Sequence, residues 1–543
     1  MVKGIRITRN MEIKLSERPT IAEVRKILST EQISVTQLTE YFLERSKKID
    51  REIKSVLRWN DEFALKRAKI LDQLLEENKR KGKSFDQLLN EVPLFGIPFT
   101  LKDNILVENL TATSASKLMD DWKATYSATV YKLLENAGAV LICQVNQDEW
   151  AVGCSTENSA FQTTVNPYGK DRVPGGSSGG PAAVVGSGQV VFSLGSDTGG
   201  SIRQPSAFCN SVGVKPTYGL VSRYGIMALA SSLDQVGPIT HCVADNSLVL
   251  SILAAHDSKD QTSLTTDQLQ TVAQELYRLG QNFHQQEIPG PSGLADINSN
   301  KSQDNSENSI NSFPLQTSTD KFKIGIPAEY YEEGLDTRIA TKLNQLQSQL
   351  KEKFELVPVS LPLTKYGLSI YYITMTVETA ANLERYDGVR YRPAKYDSNG
   401  SDMFFGIREE LFGEEPKRRI MLGTYTSSAG YYDAYYNKAN QVKAMMQQDF
   451  STIFDQVDLL LCPTTPELPF KFGVKTNNPL AMYLSDAMVY GANLAKLPAI
   501  SIPLSYVKDG DEILPIACQV IGPELSEAKI MSLGQEIEKF FGL

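Results

Sequence analysis

The sequence predicts an α/β protein in which helices layer a β-sheet. Short apolar runs alternate with helical patterns and glycine turns over residues 93–256, and the alternation resumes from residue 322 to the end. Such alternation is typical of sheets covered by helices. The 543 residues, 41% apolar and 22% charged, suit a globular enzyme of several domains or of one large α/β unit. We predict a single domain over residues 1–543.

The N-terminal part, residues 20–92, is predicted to be helical. Thr20 is followed three residues later by Glu23, and the same capping-box pattern begins at Ser34. Apolar residues then recur near the helical spacing: Leu38, Tyr41, Phe42 and Ile49. Two helices are therefore expected to begin at these caps.

Buried strands are predicted in the central part, residues 93–256, and in the C-terminal part, residues 322–543. Apolar runs cover residues 97–101, 190–195 and 459–463. Residues 257–321 form an insertion between the two parts. Its stretch 289–320 has a polar centre with hardly any apolar residue, so we predict a disordered surface segment there.

Three side chains at the ends of these elements could form a serine hydrolase whose base is lysine. A serine hydroxyl needs a base to remove its proton, and a lysine can serve when burial keeps it neutral. Lys102 follows a buried strand, Ser177 lies in a GGSSGG run, and Ser201 closes a DTGGS turn. Each fits an ordinary loop when taken alone, but together they favour acyl transfer.

The DTGGS turn could also supply the hydrogen-bond donors that acyl transfer requires. Glycines let consecutive backbone N–H groups point toward one atom, and such donors stabilise a tetrahedral oxyanion. The predicted oxyanion hole comprises Thr198, Gly199, Gly200 and Ser201.

A histidine triad on an α/β-hydrolase fold is an alternative. Residues 175–179 match the G-x-S-x-G pattern, which should follow a strand, whereas residues 171–174 read as a loop. The chain has three histidines, His241, His256 and His284, which we expect to be ordinary surface or loop residues. Loss of activity on substitution of His241 would favour this alternative.

The composition limits which binding partners and which cellular compartment we expect for the protein. A net charge of −9 argues against a main nucleic-acid grip, which needs clustered lysine and arginine. The six cysteines are scattered without metal-site spacing, as expected of reduced thiols. The sequence has no secretory signal pattern, no apolar run of about 18 residues, and no P-loop. We expect no metal, no cofactor in this chain and no membrane contact, with a cytoplasmic location, or a mitochondrial or plastid one in a eukaryote.

These residues resemble the amidase signature family. The resemblance rests on residues 157–161, the GGSSGG run and residues 196–205. It implies a large mixed β-sheet with helices on both faces. It also implies a triad in which Ser201 is the nucleophile, Ser177 a bridging serine in a cis peptide, and Lys102 the base.

Within this family the chain is most similar to the glutamine-hydrolysing subunits of tRNA-dependent amidotransferases. Long matching segments carry that likeness: residues 214–225, 230–235, 385–391, 417–424 and 430–436. The resemblance implies a heterotrimer with B and C subunits, in which ammonia from glutamine converts Glu-tRNA(Gln) to Gln-tRNA(Gln). ATP, magnesium and most of the grip on the tRNA would then belong to a partner subunit.

The resemblance also implies how glutamine is held. Arg419 would bind the α-carboxylate, Asp486 the α-ammonium, and Tyr371 would add a hydroxyl contact. Without the resemblance, Arg419 fits a solvated helix face and Asp486 a surface acid on an amphipathic helix. Two further alternatives stay open: a free-standing amidase of the same family that acts on another small amide, and a scaffold subunit with a dead site.

Overall fold

The structure is a computed structural model that describes residues 6–8, 11–13, 15–282, 322–332, 334–391 and 401–541. The predicted disordered stretch 289–320 lies outside these residues. The earlier part of the predicted insertion contains a helix, Thr266–Asn282. The division of the chain into three parts around this insertion stays a prediction.

The described residues form strands and helices in alternation over most of the chain. The strands are β1 Arg6–Thr8, β2 Met11–Glu12, β3 Val56–Trp59, β4 Pro98–Lys102, β5 Val140–Val145, β6 Phe192–Asp197, β7 Val212–Lys215, β8 Gln235–Thr240, β9 Lys323–Pro327, β10 Glu355–Val359, β11 Leu459–Pro463, β12 Ala499–Asp509 and β13 Glu512–Ile521. The α-helices are α1 Ile21–Ser29, α2 Val35–Ile53, α3 Asp61–Arg80, α4 Phe85–Glu91, α5 Thr129–Asn136, α6 Gly179–Gly186, α7 Arg203–Phe208, α8 Val243–Leu253, α9 Thr266–Asn282, α10 Thr337–Leu350, α11 Gly367–Leu383, α12 Ser401–Leu411, α13 Glu414–Ser427, α14 Lys438–Phe454, α15 Pro479–Leu484, α16 Tyr490–Leu494 and α17 Glu527–Phe541.

Eleven of the strands form one mixed sheet, in the order β10-β9-β11-β13-β12-β7-β8-β6-β4-β5-β3. The outer groups contain parallel pairs, β10 with β9 and β4 with both β5 and β6. Between these outer groups, each successive pair of strands is antiparallel: β11 with β13, β13 with β12, β12 with β7, β7 with β8, and β8 with β6. The predicted α/β class with a large mixed sheet is confirmed. None of the helices in the described ranges is long and apolar enough to cross a membrane.

The predicted capping boxes and apolar runs are present where the structure describes them. The part predicted to be helical, residues 20–92, also contains a strand, β3, which pairs with β5 at the edge of the sheet. Both capping boxes are present, at the N-termini of α1 and α2. The apolar runs become β4, β6 and β11, each fully buried. Of the residues spaced along α2, Leu38, Tyr41 and Phe42 are buried in the core, whereas Ile49 packs against it while partly exposed.

The adjacent strands β4 and β6 create the site. They are parallel, with Thr100 opposite Ser193 and Leu101 opposite Leu194. The rings of Phe99 and Phe192 stack 5.2 Å apart at the start of the pair. Because parallel strands end at the same edge of a sheet, the residues that follow β4 and β6 meet there. Lys102 and the DTGGS turn are therefore neighbours.

Candidate active site

Lys102 is fully buried and its amine is surrounded by serine oxygens. Nζ lies 2.7 Å from Ser177 Oγ, 2.8 Å from Ser178 Oγ and 3.0 Å from Ser196 Oγ. Burial lowers the pKa of Lys102 from its ordinary value of 10.5 to about 7, although the carboxylates of Asp148, Asp197 and Asp234 oppose that shift. A substantial fraction of the amine is therefore neutral near pH 7 and able to accept a proton.

Ser177 binds this amine, and its neighbour Ser178 contacts the DTGGS turn, where the Ser178 N–H donates to the carbonyl of Ser201 at 3.1 Å. The peptide bond between Gly176 and Ser177 is cis, as the resemblance predicts. Gln204 accepts a hydrogen bond from the Gly176 N–H at 3.0 Å, and a Cβ on Gly176 would lie 2.2 Å from a carboxylate oxygen of Asp148. Glycine is therefore required at position 176, next to the buried Ser177.

Ser201 lies between β6 and α7, in a turn built around a buried ion pair. Asp197 accepts hydrogen bonds from Gly200 N at 2.8 Å and from Ile202 N at 3.2 Å. Its carboxylate also binds the fully buried guanidinium of Arg203, with Nε 3.1 Å from Oδ2. These charge-assisted hydrogen bonds fix the turn, and with it the serine.

The structure narrows the predicted oxyanion hole. The Gly200 N–H is bound to Asp197, so it shapes the turn instead of facing a substrate. The N–H groups of Thr198, Gly199 and Ser201 have no hydrogen-bond acceptor among the described residues. These three remain as candidate donors to an oxyanion.

A small cavity opens at Ser201 and is lined by all three predicted glutamine-binding side chains. Its lining residues include Ser201, Tyr371, Arg419 and Asp486. Tyr371 and Arg419 come from α11 and α13, and Asp486 follows α15, so helices of the C-terminal part close the site over the turn after β6. The described chain thus brings the predicted nucleophile and binding residues into one cavity.

Arg419 is buried, which contradicts its interpretation as part of a solvated helix face. Its Nε and Nη2 lie 2.7 and 2.6 Å from Glu415 Oε1, one helical turn earlier on α13. Its guanidinium also lies over the rings of Tyr372 and Tyr483, 4.3 and 4.7 Å from their centroids. Among the described residues, the only hydrogen-bond acceptor for Nη1 is the sulfur of Met375, at 3.6 Å, which leaves that edge able to bind an anion.

Asp486 is also buried, so it is not a surface acid. Its Oδ1 is enclosed and has no hydrogen-bond partner among the described residues. Burial, together with the charge of Asp197, raises the pKa of Asp486 well above its ordinary range. A cationic group entering the cavity would relieve this cost by pairing with the carboxylate.

Tyr371 and its neighbour Tyr372 contact different parts of the cavity. The ring of Tyr371 packs against the nucleophile turn, where a Cβ on Gly199 would lie 2.4 Å from it. Tyr372 instead stacks on Tyr483 at 4.0 Å, and its hydroxyl lies 3.2 Å from Arg419 Nη2. Both line the cavity, with Tyr371 nearer the turn and Tyr372 bound to the arginine.

Sequence reasoning missed Glu415, which organises the arginine end of the cavity. Besides Arg419, its Oε1 accepts a hydrogen bond from the Tyr483 hydroxyl at 2.9 Å. The four-residue spacing from Glu415 to Arg419 on a helix was the signal that could have indicated this pair.

The two histidines in the described ranges, His241 and His256, make their hydrogen bonds away from this site. His241 follows β8, which is antiparallel to β6, and Thr240 pairs with Phe192 at the start of β6. The imidazole of His241 is therefore at the sheet edge opposite Ser201, where it contacts Val190 O and Arg18 Nε. His256 bonds the carbonyl of Leu264, and His284 lies outside the described residues. No arrangement of three or more His, Cys, Asp or Glu able to hold a metal occurs in the described ranges.

Comparison with known proteins settles the family. A family model described as Amidase matches residues 37–284 and 294–531. The chain belongs to the amidase family. The solved structure of the A subunit of glutamyl-tRNA(Gln) amidotransferase from Thermotoga maritima is 32% identical to this amidase, covers 97% of this chain and 96% of its own, and superimposes with a TM-score of 0.71.

Curated relatives of this amidase share more of its sequence. The A subunits of glutamyl-tRNA(Gln) amidotransferase from Persephonella marina and from Caldanaerobacter subterraneus are 42% and 39% identical to it, and each alignment covers 96% of both chains. A bacterial aryl acylamidase is 19% identical with a TM-score of 0.75, which is a likeness of fold alone. The predicted amidase signature family is confirmed.

Proposed function

We propose that the chain is the glutamine-hydrolysing subunit of a glutamyl-tRNA(Gln) amidotransferase. The observation that carries the proposal is the pair of opposite charges in the cavity beside Ser201. Asp486 offers an unpartnered buried carboxylate, and Arg419 offers a guanidinium edge free of carboxylate. An α-amino acid carries both complementary charges, and a side-chain amide places a carbonyl near the serine. The identity of 39–42% to proteins that bear this name supports glutamine.

The chemistry is an acyl transfer in two halves. Ser201 Oγ attacks the amide carbon, its proton passes to Ser177 Oγ, and the Ser177 proton passes to Lys102 Nζ. The N–H groups of Thr198, Gly199 and Ser201 are positioned to bind the oxyanion. Lys102 returns the proton through Ser177 to the departing nitrogen, and ammonia leaves an acyl-enzyme. Water activated by the same base then releases glutamate and frees Ser201.

We propose that B and C subunits complete the enzyme and that a partner binds ATP, magnesium and most of Glu-tRNA(Gln). The net charge of −9 supports this division, because tRNA binding needs clustered positive charge. The cytoplasmic location stays a prediction.

Two analogues of glutamine test the cavity. Removing the α-ammonium gives 4-carbamoylbutanoate, and removing the α-carboxylate gives 4-aminobutanamide. For the wild-type assembly, we expect kcat/KM for ammonia release to fall on the order of 10²-fold or more with either analogue, because a buried partner charge is left unpaired. Preference for a simple amide over glutamine would instead favour a free-standing amidase, and release from no amide would favour a dead scaffold.

The variant Asp486→Asn assigns the ammonium partner. Its kcat/KM for glutamine should fall, while the ratio between glutamine and 4-carbamoylbutanoate should collapse toward one, because both changes remove the same ion pair. Discrimination against 4-aminobutanamide, which depends on Arg419, should persist. An unchanged ratio for 4-carbamoylbutanoate would remove Asp486 from substrate recognition.

The pH dependence of the reaction should report Lys102. Its amine must be neutral to accept a proton, and its pKa is about 7. We therefore expect kcat/KM for glutamine to rise tenfold per pH unit well below pH 7 and to level off above it. Steady-state ammonia release measured from pH 5.5 to 9 checks this. A rate independent of pH across that range would contradict a lysine base.

A further inference from the structure

We propose that Ser196, held by Asn104, is a positioning residue that turns the amine of Lys102 so that its lone pair faces Ser177. The inference rests on the proposed lysine-base chemistry and adds to it residues that touch neither substrate nor nucleophile. Ser196 lies on β6, one residue before Asp197, and Asn104 lies two residues beyond the end of β4. Both side chains are buried.

The amine of Lys102 is surrounded by more hydroxyl oxygens than a neutral amine has N–H bonds. A neutral amine has two N–H bonds and one lone pair, whereas an ammonium has three N–H bonds. Three hydroxyl oxygens, of Ser177, Ser178 and Ser196, lie between 2.7 and 3.0 Å from Nζ. Catalysis requires the lone pair to face Ser177. The nearest acceptors for the two N–H bonds are then the hydroxyls of Ser178 and Ser196, since the backbone carbonyl of Ser196 lies farther from Nζ, at 3.4 Å.

Ser178 can only accept a hydrogen bond from Lys102. Its own hydroxyl proton is donated to the backbone carbonyl of Ser196, at 3.0 Å. A hydroxyl group that already donates its one hydrogen bond can only accept hydrogen bonds from its other neighbours. One N–H bond of the neutral amine is therefore directed at Ser178.

Ser196 receives the second N–H bond, and Asn104 fixes the orientation of its hydroxyl. The Asn104 Nδ2 donates to Ser196 Oγ at 3.1 Å, and Lys102 Nζ lies 3.0 Å from the same oxygen. The two donors fill both lone pairs of this hydroxyl. With both N–H bonds of Lys102 bound in this way, the lone pair is left directed at Ser177 Oγ.

Removing the hydroxyl of Ser196 should change the base and leave substrate binding unchanged. Ser196 is not among the residues that line the substrate cavity. We expect Ser196→Ala to lower kcat for glutamine hydrolysis about tenfold, the effect of one lost hydrogen bond in an aligned base, with KM unchanged.

The pH profile separates positioning from general damage. The ammonium form of Lys102 has three N–H bonds that each need an acceptor. Replacing Ser196 with alanine therefore destabilises the ammonium form more than the neutral form. The acid limb of the kcat profile should therefore move to lower pH, by about half a unit to one unit. The charged groups that face Lys102, Asp148, Asp197 and Asp234, are the same in both proteins. Ser196→Thr, which keeps the hydroxyl, should keep the limb in place.

Ser193→Ala provides the matched control. Ser193 is buried on the same strand, and its Oγ lies 2.8 Å from the hydroxyl of Thr100 on β4, without contact to Lys102. This variant should keep kcat within about twofold and leave the acid limb unmoved. Equal losses in Ser193→Ala and Ser196→Ala, or a fall in kcat without a shift of the limb, would overturn the proposal.

Two further comparisons keep the test decisive. Asn104→Ala leaves Ser196 in place but removes the group that orients it, so a smaller shift of the limb in the same direction is expected even if Ser196→Ala fails to fold. An unmoved acid limb in Asn104→Ala would count against the inference.

If the wild-type assembly releases no ammonia from glutamine but hydrolyses a simple amide, the proposed substrate is wrong. The same variants are then compared on that amide.

Discussion

Ser201→Ala should lower ammonia release from glutamine on the order of 10⁴-fold or more. Without the hydroxyl no acyl-enzyme forms, and the oxyanion donors and the bound substrate leave only a small residual rate. The measurement is steady-state ammonia release by the chain purified with its partner subunits. Because the side chain borders a cavity and accepts no hydrogen bond within the described structure, folding and glutamine binding should be preserved.

Ser206→Ala is the control for this result. Ser206 is buried on α7, five residues beyond Ser201, and its Oγ has no hydrogen-bond partner among the described residues. The variant should retain the wild-type rate within about twofold. A Ser201→Ala protein as active as the wild type would identify the chain as a scaffold or move the nucleophile elsewhere.

Arg203→Met should have the largest effect on stability, lowering the free energy of unfolding by about 3–5 kcal/mol. The guanidinium is fully buried and binds Asp197, the carbonyl of Val489 and the side chains of Gln519 and Asn493. Removing it leaves the carboxylate of Asp197 buried without its cation. Urea unfolding of the isolated chain, followed by circular dichroism, measures the change where unfolding is reversible and two-state.

Two further variants show whether the loss of stability in Arg203→Met comes from the buried ion pair. Lys539→Met breaks an exposed ion pair with Glu536 on α17 and should cost less than about 1 kcal/mol. The double variant Asp197→Asn with Arg203→Met should be less destabilised than the sum of the two single variants, because no unpaired charge remains. Simple additivity of the two changes would show that the ion pair does not stabilise the fold.

Local patterns were sufficient to predict much of this molecule. The capping boxes at Thr20 and Ser34, and the apolar runs that became β4, β6 and β11, depend on neighbours within a few residues. The positions of Lys102 and Ser201 followed from the strands that precede them. These features could be predicted because the interactions that determine them are local.

The surroundings of Arg419 and Asp486 could not be predicted in the same way. Their burial results from the packing of α11, α13 and the segment after α15 over the turn that carries Ser201, which lies far away in the sequence. The hydrogen bond from the Gly200 N–H to Asp197 is a local contact between residues three apart, but the turn offers the carboxylate several N–H groups. A glycine-rich motif indicates that donors can converge but not which of them stay free.

The division of the cavity between the two parts of the chain has an evolutionary consequence. The groups that would break the amide all precede α8, whereas the three side chains proposed to hold glutamine, Tyr371, Arg419 and Asp486, all follow β10. Exchange of the second stretch between related genes could therefore alter the compound consumed. Such an exchange would retain reactivity where the incoming stretch keeps the partners of the ion pair behind Ser201, which are Val489, Asn493 and Gln519.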